Sequence, residues 1–280
     1  MSICPRRLLV IAAAAAFFSL GAASPARALV LDWDGISSDP KNPGPLGVWV
    51  PNDLTNSYDL NGDTVNDIKV QISTQQGNIW DPDPTSGLKA PVVNQSITGG
   101  LGQNSLLLAA DLHTKSACTI QISFMGGNGA LNTPGAANVS FTIFDIDITT
   151  NADVISGIYG LAPDGVTHIA PTITNVGSGV LVTGSGLTYD LEGNVASANN
   201  SSNGNVTISF GSTLITDVFF NFGNTAGAPR YQDIAIGDIT FTPVPEINPA
   251  AASAISCLLA VGLAVFGHRR AAKARSHPQA

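Results

Sequence analysis

Apolar residues at every second position run through the middle of this chain, and that alternation limits its fold more than any other feature. Cys118, Ile120, Ile122 and Phe124 form one stripe. Val139, Phe141 and Ile143 form another, followed by Val206, Ile208 and Phe210, then Val218, Phe220 and Phe222. Successive side chains of a strand point to opposite faces, so a period of two marks strands with one buried face. Turn clusters separate the stripes, among them Gly126-Gly127-Asn128-Gly129, Pro163-Asp164-Gly165, Gly177-Ser178-Gly179 and residues 197–204. No stretch between 29 and 243 carries a helical period. Short strands broken by Gly, Asn and Asp over about 200 residues predict one all-β domain, a two-sheet, jelly-roll-like sandwich. Residues 37–51, rich in Pro and Gly, read as an irregular lead-in, and a split near 85–100 into two small β domains is the alternative.

Charge narrows the partners. Residues 29–244 hold five of the twelve Lys and Arg but nineteen of the twenty Asp and Glu, a net charge of −14. Nucleic-acid binding rests on cations neutralising phosphates, so this sign excludes it. Cations and neutral glycans remain. Eighteen of the nineteen acids are Asp, a turn former that disfavours helix interiors, in keeping with strands joined by many turns.

The two ends are addresses. Residues 1–28 start with Arg6 and Arg7, continue with an apolar run from 8 to 20, and end on Ala26-Arg27-Ala28. Small residues at Ala26 and Ala28 suit signal peptidase, so 1–28 reads as a secretory signal peptide. At the other end, 250–267 is an uncharged stretch of about 27 Å as a helix, followed at once by His268-Arg269-Arg270. It reads as one transmembrane helix, with a basic end, 268–280, held in the cytoplasm. Before it stands Val244-Pro245-Glu246-Ile247-Asn248-Pro249. Pro-Glu, an apolar helix and an arginine cluster in that order resemble the PEP-CTERM sorting signal of Gram-negative bacteria. Val244, Pro245 and Glu246 match its usual Val-Pro-Glu-Pro form, and Ile247 replaces the second proline. The resemblance covers 244–280. It implies recognition by an exosortase, an inner-membrane intermediate, and delivery to the cell surface or extracellular matrix, often beside exopolysaccharide.

Cysteine usage fits a domain without disulfides: Cys4 lies in the leader and Cys257 in the apolar tail, leaving Cys118 alone and in phase with a buried stripe.

The order Phe141 to Asp147, Asp153-Val154-Ile155 and the late run 234–241 is similar to glycan-binding-type jelly rolls of exported bacterial proteins, whose closing strand carries an Asp-Ile-x-Phe pattern. The similarity spans about 100 residues and implies a carbohydrate partner.

Two acidic groups are candidate calcium sites. Asp59, Asn61, Asp63 and Asp67, with the Val65 carbonyl, place oxygens at alternate positions of one turn, as a calcium ion needing six to eight oxygens requires. The run resembles the calcium loops of FG-GAP and thrombospondin type-3 repeats, but Thr64 stands where a glycine usually turns and Val70 where an EF-hand has its last acid. The alternative is an Asn61-Gly62 hairpin with solvated carboxylates. Asp145, Asp147 and Asp153 form the second group. Asp145 and Asp147 continue the stripe of Ile143, and Asp238 follows Ile234 and Ile236 likewise. A carboxylate on a core-facing stripe needs a metal or hydrogen bonds, so these are expected either to hold a structural Ca²⁺ or to cap a loop through backbone N–H groups.

Sugar recognition needs flat apolar faces and a few polar groups. Trp80, in Trp80-Asp81-Pro82-Asp83, is the first candidate platform, with Trp49 and Tyr231 behind it, against ordinary packing. No catalytic residue is predicted: His113 and His168 sit in no metal spacing or nucleophile motif, and a carboxylate pair is easily drawn by chance among so many Asp. The sequence thus predicts an exported, non-enzymatic surface protein associated with extracellular polysaccharide or biofilm matrix. A carbohydrate-active hydrolase on the same scaffold and a purely structural adhesion protein are the alternatives.

Overall fold

The computed structural model describes residues 27–244, apart from 75–78, 84–85, 113, 115–117, 126–134 and 226–229. The leader up to Ala26, Pro245 and Glu246 of the sorting motif, the apolar stretch 250–267, the basic end 268–280, His113 and the glycine cluster 126–129 lie outside the described residues. Among the described residues no helix is long and apolar enough to cross a membrane.

The described chain is built from strands and three single-turn 3₁₀ segments. In order the strands are β1 (Leu29–Leu31), β2 (Ile36–Ser37), β3 (Gly47–Val48), β4 (Thr55–Tyr58), β5 (Ile68–Thr74), β6 (Ile79–Trp80), β7 (Val92–Asn94), β8 (Ser105–Leu112), β9 (Cys118–Phe124) and β10 (Ala136–Phe144). There follow β11 (Asp153–Leu161), β12 (His168–Ile169), β13 (Thr172–Thr174), β14 (Val180–Thr183), β15 (Asp190–Gly193), β16 (Val206–Gly211), β17 (Asp217–Asn224), β18 (Arg230–Ile236) and β19 (Ile239–Pro243). A nine-stranded sheet runs β1-β19-β10-β18-β8-β6, with β16 and then β13 added beside β10, and β7 beside β8. An eight-stranded sheet runs β14-β15-β11-β17-β9-β5-β4, with β12 beside β11. The chain alternates between the two sheets from β8 through β11 and again from β16 through β18, a jelly-roll-like path. The lead-in is less irregular than expected: β2 and β3 pair in parallel, Ile36 opposite Gly47.

The predicted stripes are the core. Cys118, Ile120 and Ile122 are fully buried, as are Val218, Phe220 and Phe222 on the same sheet and Val139, Ile143, Val206 and Ile208 on the other. Phe141 of the nine-stranded sheet stacks on Phe220 of the eight-stranded one at 5.9 Å, and Phe124 meets Phe241 across the same layer at 4.9 Å. Each such ring contributes about 2–3 kcal/mol by leaving water. A division near 85–100 does not occur, because β5 pairs with β9 and β6 with β8, joining the two halves in both sheets.

Candidate functional site

The predicted calcium turn closes the β4–β5 hairpin, with Tyr58 opposite Ile68. Its carboxylates are occupied by its own backbone. Asp59 accepts from Gly62 N (2.7 Å) and Asn61 N (3.2 Å) on Oδ1 and from Thr64 N (2.7 Å) on Oδ2. Asn61 Oδ1 accepts from Asp63 N, and Asp63 Oδ1 from Val65 N, each at 2.9 Å. Asp67, buried, accepts from Leu60 N at 2.7 Å and from the Asn61 amide at 3.2 Å. Desolvation raises the Asp59 pKa, but the N–H groups of Gly62, Thr64, Asn61 and Asp63 together outweigh it and leave the group below its ordinary value. Thr64 takes the left-handed backbone, φ 72°, that a glycine would take without cost. These bonds close the turn between β4 and β5.

The second group assembles differently from the expectation. Strand β10 ends at Phe144, and Asp145 turns left-handed, φ 65°, so the inward stripe stops before it. Asp145, Asp147 and Asp153 are nonetheless buried. Asp238 does not join them: its Oδ1 accepts from Trp33 N at 3.0 Å, and its charged neighbours are Asp32 and Asp34. Asp233 of β18, unmarked in the sequence, takes its place. Desolvation pushes Asp145 up to about 8, with Asp147 and Asp233 adding repulsion. Desolvation also raises Asp153, on which Asp233, Asp147 and Asp145 all act, and brings Asp233 to about 6. Asp153 Oδ2 accepts from Asp147 N (3.1 Å) and Asp147 Oδ2 from Ser197 N (2.7 Å), whereas Asp145 Oδ1, Asp153 Oδ1 and the Ser197 hydroxyl are buried without a partner. Among the described residues no three Asp, Glu, His or Cys side chains converge closely enough to hold a metal ion.

Two of the three aromatic candidates are core. Trp49 is fully buried, edge-on to Trp33 at 6.2 Å, and Trp80 lies in β6 opposite Ala110 with 8% of its surface exposed. Neither offers a face to solvent, because each large ring removes more apolar area from water inside the sandwich than a loop position allows. Tyr231 is 39% exposed and donates to Asp233 Oδ2 at 3.3 Å, and among the described residues no aromatic ring stacks on it.

The exposed aromatic groups that do stand together lie on the outer face of the eight-stranded sheet, and the sequence reading missed two of them. Tyr159 stacks between His168 (4.1 Å, 19°) and Phe219 (5.0 Å, 20°). Tyr159 and Phe219 are half-buried and His168 is exposed. A row of cross-strand partners continues from this ridge: Tyr159 faces Phe219, Phe219 faces Gln121, Gln121 faces Gln71, and Gln71 faces Thr55. Gln121 donates to Asp217 Oδ1 at 2.9 Å, Thr119 donates to Asn221 Oδ1 at 2.8 Å, and the Lys69 ammonium holds Gln71 Oε1 at 2.9 Å. Burial, and after it the Asp217 carboxylate, raises the Tyr159 phenol, which is therefore a neutral hydroxyl at any physiological pH.

Tyr159 faces outward because of one glycine. From Ile155, a core residue, simple alternation would turn Tyr159 inward. The pairs Ser156–Asn221 and Tyr159–Phe219 enclose one more residue on β11 than on β17, a bulge at Gly157 with φ 60°. The extra residue reverses the parity, burying Ile158 and turning out Tyr159. The signal was present as an off-phase aromatic in Val218-Phe219-Phe220 and a glycine inside a strand run.

No protein family matches the chain, and no curated protein does. Among solved structures, the chain is similar to a carbohydrate-binding module studied for specific mannan recognition, with 12% identity over 62% of this chain and 99% of that one, TM-score 0.28. It is also similar to a family 11 carbohydrate-binding module from Clostridium thermocellum in complex with a β-1,3-1,4-mixed-linked tetrasaccharide, with 12% identity, 69% and 97% covered, TM-score 0.28. A family 11 module of a cellulosomal cellulase from Clostridium thermocellum stands at 11% identity, 69% and 96% covered, TM-score 0.28. Likenesses at this TM-score transfer neither ligand nor site to this chain.

Proposed function

We propose that this chain is an exported, surface-sorted, non-enzymatic protein whose β-sandwich associates with a neutral extracellular polysaccharide through the outer face of the eight-stranded sheet. The observation that carries the reading is the ridge of His168, Tyr159 and Phe219 bordered by the amides of Gln121, Asn221 and Gln71. A sugar ring presents C–H groups that seek apolar contact and hydroxyls that seek amides, and a rigid stacked ridge beside fixed amides meets both with little ordering cost. The net charge of the domain favours neutral glycans over polyanions.

Export by the leader, processing by signal peptidase and an exosortase, and membrane retention at the C-terminal stretch remain part of the proposal, supported by the sequence motifs. Calcium is proposed from the sequence pattern and from the unpartnered buried oxygens of Asp145 and Asp153; to hold an ion, these carboxylates and those of Asp147 and Asp233 would have to draw closer than they stand. No pair of carboxylates is established at the ridge, so nothing here favours a hydrolase over a binding protein.

The test is retention of the full chain on a panel of immobilised neutral polysaccharides, with reducing-end release assayed in parallel. Tyr159→Ala or Phe219→Ala is expected to weaken retention about tenfold, or about 1.4 kcal/mol, with no sugar released. Retention unchanged in both variants would remove the ridge from the account, and release of sugar would remove the non-enzymatic reading.

A further inference from the structure

The outer face of the other sheet carries a second pattern. Two rows of hydroxyl residues cross adjoining strands in register. One runs Thr172–Ser209–Ser140–Thr240 and the other Thr174–Thr207–Thr142, each residue directly opposite the next. All seven lie on the solvent side, at most half-buried, and none is charged, although the domain is strongly acidic. The rows are themselves bonded: Thr142 Oγ1 and Thr207 Oγ1 lie 3.0 Å apart, Asn175 donates to Thr207 Oγ1 at 3.3 Å, and Thr240 donates to the Ser140 carbonyl at 3.2 Å.

At one end the second row runs into a groove of about 370 Å³. Thr142, Thr207, Asn175 and Ser202 supply hydroxyls and an amide to its lining, and Leu101 and Val176 supply apolar surface. Those two are 64% and 43% exposed. Asn205 also lines it; its amide donates to the Gly99 carbonyl at 2.8 Å while its Oδ1, buried, accepts nothing. The volume falls within the ~300–1,000 Å³ of small-molecule sites. Neutral donors and acceptors between two apolar side chains suit a ring that carries hydroxyls on its rim and C–H groups on its faces. A charged ligand would find no counter-ion among these lining residues and would be repelled by the −14 domain if anionic.

We propose that this groove is a second carbohydrate site, taking one neutral pyranose residue at the end or a branch of a polysaccharide. It does not depend on the aromatic ridge. The two sites occupy opposite outer faces of the sandwich, so one molecule holds two glycan strands.

The experiment uses the full chain in a detergent without a sugar headgroup. Hydrogen exchange of the peptides spanning 172–177 and 202–209 is followed with the methyl glycosides and hexasaccharides of glucose, mannose and galactose at ~10 mM, enough to saturate a Kd of about 1 mM. At least one probe is expected to slow exchange in both peptides. That protection should vanish in Thr142→Val/Thr207→Val and persist in Tyr159→Ala. Ser202→Trp, at the exposed rim, blocks the groove without touching the core and replaces the valine pair if that variant melts early. No protection of either peptide by any probe, or protection that both groove variants leave intact, overturns the proposal. Loss of retention in Tyr159→Ala alone speaks to the ridge and leaves the groove result standing.

Discussion

Gly157 sets the direction of Tyr159, and with it the geometry of the proposed ridge. Its φ of 60° lies where a Cβ costs about 1–2 kcal/mol, and a Cβ there would also stand 2.8 Å from the Asn221 amide nitrogen. Gly157→Ala is expected to lower Tm by about 3–6 °C and to weaken polysaccharide retention in step with Tyr159→Ala. If Tm falls while retention holds, the bulge is structural only and the ridge does not bind. At the same scale, reading Trp80 and Trp49 as platforms failed for a plain reason. Residue type says that a tryptophan has a large apolar face, but only its neighbours say whether that face is already covered.

Among the elements, the link between β10 and β11 gathers buried acids. It brings Asp145, Asp147 and Asp153 beside Asp233 of β18, and desolvation raises all four carboxyls above their ordinary range. The direction of the stability effect follows. A carboxyl whose pKa is higher in the folded than the unfolded chain takes up a proton on folding, so its stabilisation is complete below about pH 4 and is lost as pH rises through the folded values. With Asp233 at about 6 and Asp145 at about 8, that loss begins near pH 4 and is complete by about pH 6 for Asp233 and by about pH 8 for Asp145. In a chelator, Tm is expected to fall as pH rises from ~5 to ~8.5, and Asp153→Asn should flatten the fall. A Tm that climbs over this interval would contradict the buried cluster. Added calcium is expected to restore Tm at the alkaline end by offsetting the mutual repulsion; if it leaves Tm unchanged, the calcium proposal fails here. That these three acids lie together was legible in their spacing. That Asp233 completes the group and Asp238 does not depends on the pairing of β18 with β8, which no local pattern specifies.

For the whole molecule, charge and symmetry of faces matter together. The acidic domain presents an aromatic, amide-bordered surface on one sheet and an uncharged hydroxyl surface on the other. Binding to a neutral glycan through either involves no net charge pairing, so raising salt from ~50 mM to ~500 mM, which shortens the screening length from about 14 Å to about 4 Å, is expected to change retention less than twofold. A steep fall with salt would mean a cationic partner instead.

The amino-acid sequence by itself determined which side of most strands is buried, because period-two alternation is a local property imposed by backbone geometry. It therefore determined the all-β class, the packed stripes and the burial of Cys118. It also determined the sign of the domain's charge, which depends on composition alone. Only the tertiary structure decided that Tyr159 remains outside, since the bulge at Gly157 reverses parity for the rest of β11. Only the tertiary structure, too, decided which carboxylates meet. Side chains far apart in the chain come together through sheet register, and register is settled by the packing of the whole sandwich rather than by any one segment.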